Sequence, residues 1–372
     1  GQPMRRILSQ CRKELLQFRR DRLTLGLAFL LPLLTLLIFG FAIRLETKFI
    51  PIVVQDLDRS PLSFAYTDRL FATNQFHPAP WPGGDPVRTA MDPGRAKAVV
   101  VIPPEFSRRI KAGRPASVQV LVDGTDANNA RVIRNSIQAT TRFFLLDEGL
   151  IEDNQPVRAL TRLWFNPGRK ESLYIVPGVY AVVLWIFPSL LAAIAMVREK
   201  ETGTILQVYA SGLSGAEWLL GKTLAYLLVG LSMAAVVMGA GSLIFRLGFA
   251  GDPSPLLVGT TVYLATAVLF GLLLGVRSSS QQAAVQGVSL VGFLTALLLS
   301  GFIYPLGNIP FPLSLVSALV PARYFIVVSR DAFVRGSGWS GVGFDVLMIL
   351  LIGSLLHLLA QRSLGAMQLR RP

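Results

Sequence analysis

The chain has 372 residues, of which 52% are hydrophobic and 16% charged, with a formal net charge of +14. A soluble domain carries about 25% charged residues, so composition assigns this chain to membranes. Its basic residues lie mostly at the ends of apolar runs, in the segment between the first two runs and in the tails, which suits a bilayer surface and argues against a nucleic-acid partner. One cysteine, Cys11, and two histidines, His77 and His357, argue against an internal disulfide, a cysteine-based metal cluster and a histidine-rich metal site.

In chain order, Gly1-Gln2-Pro3 reads as a non-native leader and Met4 as the expected start. Residues 4–22 form an amphipathic helix with Ile7, Leu8, Cys11, Leu15 and Phe18 on one face and basic residues around the rest. That pattern fits an interfacial helix lying along a leaflet, or a cytosolic helix packed on a partner. Residues 23–43, "LTLGLAFLLPLLTLLIFGFAI", are long enough for a retained first transmembrane helix and lack a small-residue cleavage site.

Residues 44–173 are different in kind. Three β-branched runs, 50–56, 96–103 and 116–124, alternate with helical patterns over 61–72, 104–112 and 126–150. Pro61 and Pro104 suit first helical turns, and the alternation predicts a mixed α/β domain. "DGTDANNA" (123–130) lacks a calcium loop's later bidentate glutamate, and Asp126 suits a helix N-cap instead.

Five further spans are expected at 174–197, 223–245, 256–276, 283–304 and 342–360. Residues 305–330, with Pro310, Pro312, Pro321 and Arg323, read as a broken or re-entrant element. The expected fold class is therefore a polytopic α-helical membrane protein of six transmembrane helices, with a mixed α/β domain between the first and second. Lys and Arg gather before the first span (Arg5, Arg6, Arg12, Lys13, Arg19, Arg20, Arg22), after the second (Arg198, Lys200, Lys222), after the fourth (Arg277) and in the tail, against Arg246 alone between the third and fourth. Arg323, Arg330 and Arg335 weaken the contrast without reversing it, so both termini are expected to be cytoplasmic and the α/β domain exported.

The spans offer little chemistry. The first five carry no ionisable residue in their interiors, and the sixth has Asp345 and His357 near its two ends. A proton- or sodium-coupled pump needs carboxylates at mid-membrane depth, and no nucleophile–base or paired-carboxylate arrangement emerges. A membrane-embedded lipid-modifying enzyme or a non-catalytic receptor stays open as a different class of reading.

The loop "REKETGTILQVYASGLSGAEWLLGKT" (198–223) ends like a phosphate-binding G-x-x-x-x-G-K-[ST] pattern, but Ala216 stands where the first glycine belongs, and Glu217, Trp218, Leu219 and Leu220 are too bulky for a phosphate cradle. Ser214 and Glu217 have the spacing of a capping box opening a helix that runs into the third span, with Lys222 snorkelling at the membrane boundary. By itself the loop could be a solvated turn whose charges fix topology.

At these residues the chain resembles the permeases of the type-2 class of ABC exporters, in the drug-export branch. Arg198, Glu199, Lys200, Glu201, Gly203, Thr204, Leu213, Ser214, Glu217, Gly221 and Lys222 match that family's loop, with Gly212 where proline is common. "AVVVIPPEFSRRIKAG" (98–113), "VQVLVDGTDANNA" (118–130), "WFNPGRKESLYIVPG" (164–178) and the segment 300–336 follow in the family's order. The resemblance implies a permease without cofactors or an ATPase site of its own, in a bacterial inner membrane. It implies ATP and Mg on a separate cytoplasmic ABC ATPase subunit, and a second permease, the same or homologous. It makes 198–222 a coupling loop, and the cargo a hydrophobic or amphipathic compound, or a lipid or glycan. A periplasmic adaptor protein is a further expected partner, beside membrane lipids.

Overall fold

The computed structural model describes residues 1–42, 49–123, 127–150, 172–304 and 306–369. They form two compact units, one of Gly1–Ile43 with Leu163–Pro372 and one of Arg44–Arg162.

The first unit opens with helix α1 (Gln2–Arg20). Six helices among the described residues are long and apolar enough to cross a membrane, as a polytopic membrane protein requires. These are α2 (Arg22–Ala42), α6 (Ser172–Glu201), α8 (Gly215–Ile244), α9 (Ser254–Arg277), α10 (Gln281–Leu298) and α13 (Trp339–Leu369). The labels α3 to α5 belong to the second unit; α7 (Thr204–Ala210), α11 (Leu313–Ala318) and α12 (Pro321–Arg330) are short. Apart from α2, which keeps its expected length, helices run further than hydropathy alone predicts. The other exception is α10, which stops at Leu298 where Tyr304 was expected; the chain turns there through Ser300-Gly301.

Two helices form the centre of this unit. In α6 and α9, 72% and 61% of the apolar window is buried, against 17–33% in the other four. Their contact is made by large rings and a shared polar link. Trp185 stacks on Tyr263 and Phe270, with centroids 5.7 and 5.0 Å apart. Tyr263 stacks on Phe325 of α12 at 4.2 Å. The Ser189 hydroxyl donates to the Ala267 carbonyl at 2.9 Å. Buried hydroxyls that satisfy carbonyls in this way avoid the cost of polar atoms in an apolar interior. Residues 306–330 hold two short helices; α12, which starts at Pro321, is buried on nearly every side.

The second unit is a four-stranded sheet of order β2-β1-β3-β4. Strands β1 (Ile50–Asp56), β2 (Phe76–Pro78) and β3 (Ala98–Ile102) are parallel, and β4 (Gln119–Val122) is antiparallel to β3. Helices α3 (Pro61–Ala72), α4 (Phe106–Lys111) and α5 (Ala127–Asp147) accompany it. Alternation along the strands explains the layering. Ile52, Ala98, Val100 and Ile102 face a core with Tyr66, Leu70, Ile137 and Phe144, while Val53 and Val99 face Ala90 and Ala96 on the other side. Strand β2 has no counterpart among the sequence-predicted strands; three residues containing His77-Pro78 are too few to show a period. Asp126, the expected cap of α5, lies outside the described residues, as does most of the 164–178 motif.

Candidate functional site

The last turn of α6 carries four consecutive charges, Arg198, Glu199, Lys200 and Glu201. Successive side chains on a helix point about 100° apart, so four in a row sweep the whole circumference. Each one meets a different element.

Arg198 donates to Asp21 Oδ2 at 3.0 Å. Asp21 is the N-cap of α2, accepting from the Leu23 and Thr24 amides at 3.1 and 3.3 Å. Hydrogen bonds from Thr24 and then Arg198 hold its carboxyl below the usual range, against a smaller opposing effect of burial. Lys200 donates to the carbonyls of Gly275, at 3.1 Å, Val276, at 2.7 Å, and Ser278. It thereby satisfies the orphan carbonyls at the C-terminus of α9 with a positive charge, the sign the helix dipole favours there. Glu201 reaches the start of α10, accepting from the Gln281 side chain at 2.9 Å.

Glu199 turns inward to a buried ion cluster. The Lys222 ammonium of α8 lies 2.6 Å from Glu14 Oε1 and 3.0 Å from Glu199 Oε1. Lys222, Glu14 and Glu199 are 0%, 2% and 6% exposed. Lys13 stands 3.8 Å from Glu199, so two cations face two carboxylates. Gln10 donates to Glu14 Oε1 at 3.0 Å. Burial alone would push the Glu14 carboxyl up; the Lys222 charge and its hydrogen bonds overcome that and leave it below the usual carboxylate range. Neither oxygen of Glu199 has a hydrogen-bond partner among the described residues, so its contact with Lys222 is an ion pair only. The expectation that Lys222 snorkels is thus corrected: two carboxylates draw its ammonium inward instead of letting it reach water.

Helix α1 is the other half of this site. It packs along α8, and Gly221 makes the approach possible: a Cβ there would stand 2.7 Å from Gln10 Cβ and Cγ and 3.1 Å from the Ile7 carbonyl oxygen. The face turned inward holds Gln10, Cys11 and Glu14, where the sequence suggested a single apolar stripe. Leu15 and Phe18 pack on the core, but Leu8 of that stripe is exposed, together with Met4 and beside exposed Arg5, Arg12 and Arg19.

The loop itself is tightly formed. Gly203 ends α6 at φ +73°. The Thr204 hydroxyl bonds Thr202 at 2.7 Å and the Glu199 carbonyl at 3.3 Å. Leu213 packs on the core of the membrane unit. Ser214 and Glu217 complete a reciprocal capping box at 3.2 and 3.0 Å. Arg6 of α1 reaches both the Gly212 carbonyl at 3.3 Å and Glu217 at 3.8 Å. Gly212 sits at φ +71°, a value closed to proline, whose ring fixes φ near −65°. The glycine therefore sets a left-handed turn here. Gly215–Lys222 is helical throughout, with no phosphate loop.

All eleven sequence-predicted residues thus fall in one region, and six groups in and around it that pattern reading did not select join them: Arg6, Gln10, Lys13, Glu14, Asp21 and Gln281. Glu14 did carry a signal. It is the sole acidic residue in the first twenty, beside six Lys and Arg.

The family model described as "ABC-2 family transporter protein" matches residues 22–361. Among curated relatives, the probable multidrug ABC transporter permease YbhS of Escherichia coli is 26% identical over 339 residues, covering 90% of this chain and 89% of that protein. The probable multidrug ABC transporter permease YbhR of the same organism is 28% identical over 333 residues, covering 89% and 90%. The inner membrane transport permease YhhJ, also from Escherichia coli, is 25% identical over 360 residues, covering 90% and 94%.

Proposed function

Because the chain belongs to the ABC-2 family of transporter proteins, as a multi-pass permease that works with an ABC ATPase, we propose that it is the membrane subunit of an ATP-driven exporter. The stroke enters through residues 198–222. ATP and Mg sit on the separate ATPase chain. The termini and this loop face the cytoplasm, and the α/β unit is exported, a reading supported by the distribution of Lys and Arg. A second permease, identical or homologous, completes the path, and a periplasmic adaptor docks on the exported side. The cargo is hydrophobic or amphipathic, in line with relatives named as multidrug permeases and with apolar span interiors.

The observation that carries this reading is the four-way grip of Arg198, Glu199, Lys200 and Glu201. A rigid-body push on the α7 region reaches the ends of α1, α2, α8, α9 and α10 together. In these terms Arg198, Glu199, Lys200, Glu201 and Lys222 transmit, Gly203, Thr204, Leu213, Ser214 and Glu217 shape the hairpin, and Gly221 seats α1. Exposed Met4 and Leu8 beside Arg5, Arg12 and Arg19 suit the leaflet surface, which keeps α1 at the interface.

The test uses the assembled complex in vesicles. Glu201→Arg or Glu217→Arg is expected to leave assembly intact and to lower ATP-dependent transport at least tenfold. Wild-type transport by either variant sinks the assignment of the loop.

A further inference from the structure

The α/β unit has a cavity of about 1220 Å³ between β4, α4 and α5. Its origin lies in the sheet. On the face that packs against helices, Ala98, Val100 and Ile102 of β3 are fully buried. The equivalent valines one strand over, Val118, Val120 and Val122, are only half-buried and line the cavity. Among the described residues the helical cover stops short of the edge strand. Ile137 and Phe144 of α5 close the far wall at 3% and 2% exposure. At the floor the Tyr66 and Thr141 hydroxyls satisfy each other at 2.7 Å. The interior is therefore apolar and its polar atoms are already paired, as in pockets built for hydrocarbon.

The rim has the opposite character. Arg134, Gln138 and Arg142 follow at four-residue spacing along one side of α5, and Arg114 stands on the other side of the cavity. All three guanidinium groups are exposed, and none has an ion-pair partner among the described residues. This is unlike Arg69 and Arg109 of the same unit, which pair with Asp147 and Glu105. Guanidinium groups bind carboxylates through paired N–H donors. The volume exceeds the roughly 300–1,000 Å³ of ordinary small-molecule pockets, which leaves room for an extended chain. An apolar trough with an unpaired cationic rim complements one kind of molecule: a hydrocarbon tail ending in a negative charge.

We propose that this cavity binds a long-chain carboxylate, its tail on Val118, Val120, Val122, Ile137 and Phe144 and its head at Arg134 and Arg142. Binding here goes beyond the transport reading. It needs neither ATPase nor movement of cargo, and it stands whichever compound the membrane unit carries.

The experiment titrates the full chain, purified in a neutral alkyl-maltoside detergent, with dansyl-undecanoic acid, whose emission rises and shifts to the blue in apolar surroundings. Saturable binding of one probe per chain is expected, and the methyl ester of the same probe should bind at least tenfold more weakly. Arg134→Glu/Arg142→Glu, a change confined to exposed groups without an ion-pair partner among the described residues, should weaken the acid at least tenfold and leave the ester and the melting temperature unchanged. Val120→Trp, which fills the trough, should abolish both signals. If acid and ester bind alike, if the charge-reversed variant keeps wild-type affinity, or if the signal only follows micelle concentration, the site is not one for carboxylates and the proposal is overturned.

Discussion

Replacing Lys222 by Met removes the ammonium from the ion cluster and leaves Glu14 and Glu199, at 2% and 6% exposure, with Lys13 as their nearest cation, 3.8 Å from Glu199. Removing one partner of a buried pair typically costs about 3–5 kcal/mol, because the surviving charge is left uncompensated. At about 2–4 °C per kcal/mol for a unit of 150–250 residues, melting followed by intrinsic fluorescence in detergent should drop by about 6–20 °C. The loss should deepen as pH rises, since the carboxylates left behind can relieve their repulsion only by holding a proton. The triple variant Glu14→Gln, Glu199→Gln, Lys222→Met has no fully buried charge left to strand, since the remaining Lys13 side chain is 38% exposed. It should recover most of the loss, as replacing a whole buried ionic group by neutral side chains usually does. A Lys222→Met protein that melts within about 1 °C of wild type would mean that water solvates the cluster, and the account of the α1–α8 contact would be wrong.

Gly221→Ala places a Cβ 2.7 Å from Gln10 and should lift α1 off α8 at a cost of about 1–3 kcal/mol; alkylation of Cys11, now 5% exposed and the sole cysteine, should quicken at least tenfold. Glu14 titrates below its ordinary value in the folded chain, so its contribution is complete above the unfolded value of about 4.3 and is lost as pH falls through the lower folded value. Wild type should therefore lose melting temperature below about pH 4.3 more steeply than Glu14→Gln, measured side by side. Lys200→Met frees the carbonyls of Gly275, Val276 and Ser278 and should cost about 1 kcal/mol, read as faster amide exchange in the last turn of α9 with little change elsewhere. Gly212→Pro, which restores the family's usual residue, should destabilise the hairpin here, because φ +71° is closed to proline; a melting temperature equal to wild type would contradict the turn geometry.

Most of the helices were legible because membrane spans announce themselves by length and apolarity. The boundaries were less so from hydropathy, which does not see caps: it starts α8 near Thr223, and it was the capping-box spacing of Ser214 and Glu217 that marked the start at Gly215. The three longer strands were legible from β-branched runs, whereas β2 was too short to carry a pattern. In the candidate site, residue types were readable and their pairings were not. Glu199 and Lys222 stand in one loop, but the group that joins them, Glu14, lies 208 residues from Lys222 on a helix that reads as a membrane-surface element. Hydrophobic periodicity places a residue on a face; it does not say whether that face meets lipid or another helix. The inward turn of Gln10 and Glu14 was hidden for that reason.

The same distinction explains why these charges stand next to one another in sequence. Charges on neighbouring turns would have served one side of α6. Four in one turn serve all sides, so α6 cannot rotate or slide at this end without disturbing Asp21, the Glu14–Lys222 pair, the end of α9 and the start of α10 together. The grips differ in strength. Arg198 and Asp21 are partly exposed, and such pairs contribute about 0–1 kcal/mol; the buried cluster resists rupture by several times that. On the proposed coupling role, a displacement entering through 198–222 would be carried first by α8 and α1, which are tied to Glu199 through Lys222 and Glu14, and would slip at Arg198. The last span, α13, is met at this end by a long contact between Arg277 and Ser363 at 3.5 Å and by the packing of Ala360 and Leu364 in the core of the membrane unit. It lies against α9 along their length, where Thr266 donates to the Ile349 carbonyl at 3.4 Å. On the same proposed role, one route to it runs through α9, which Lys200 holds at this end and Trp185 and Ser189 hold further along.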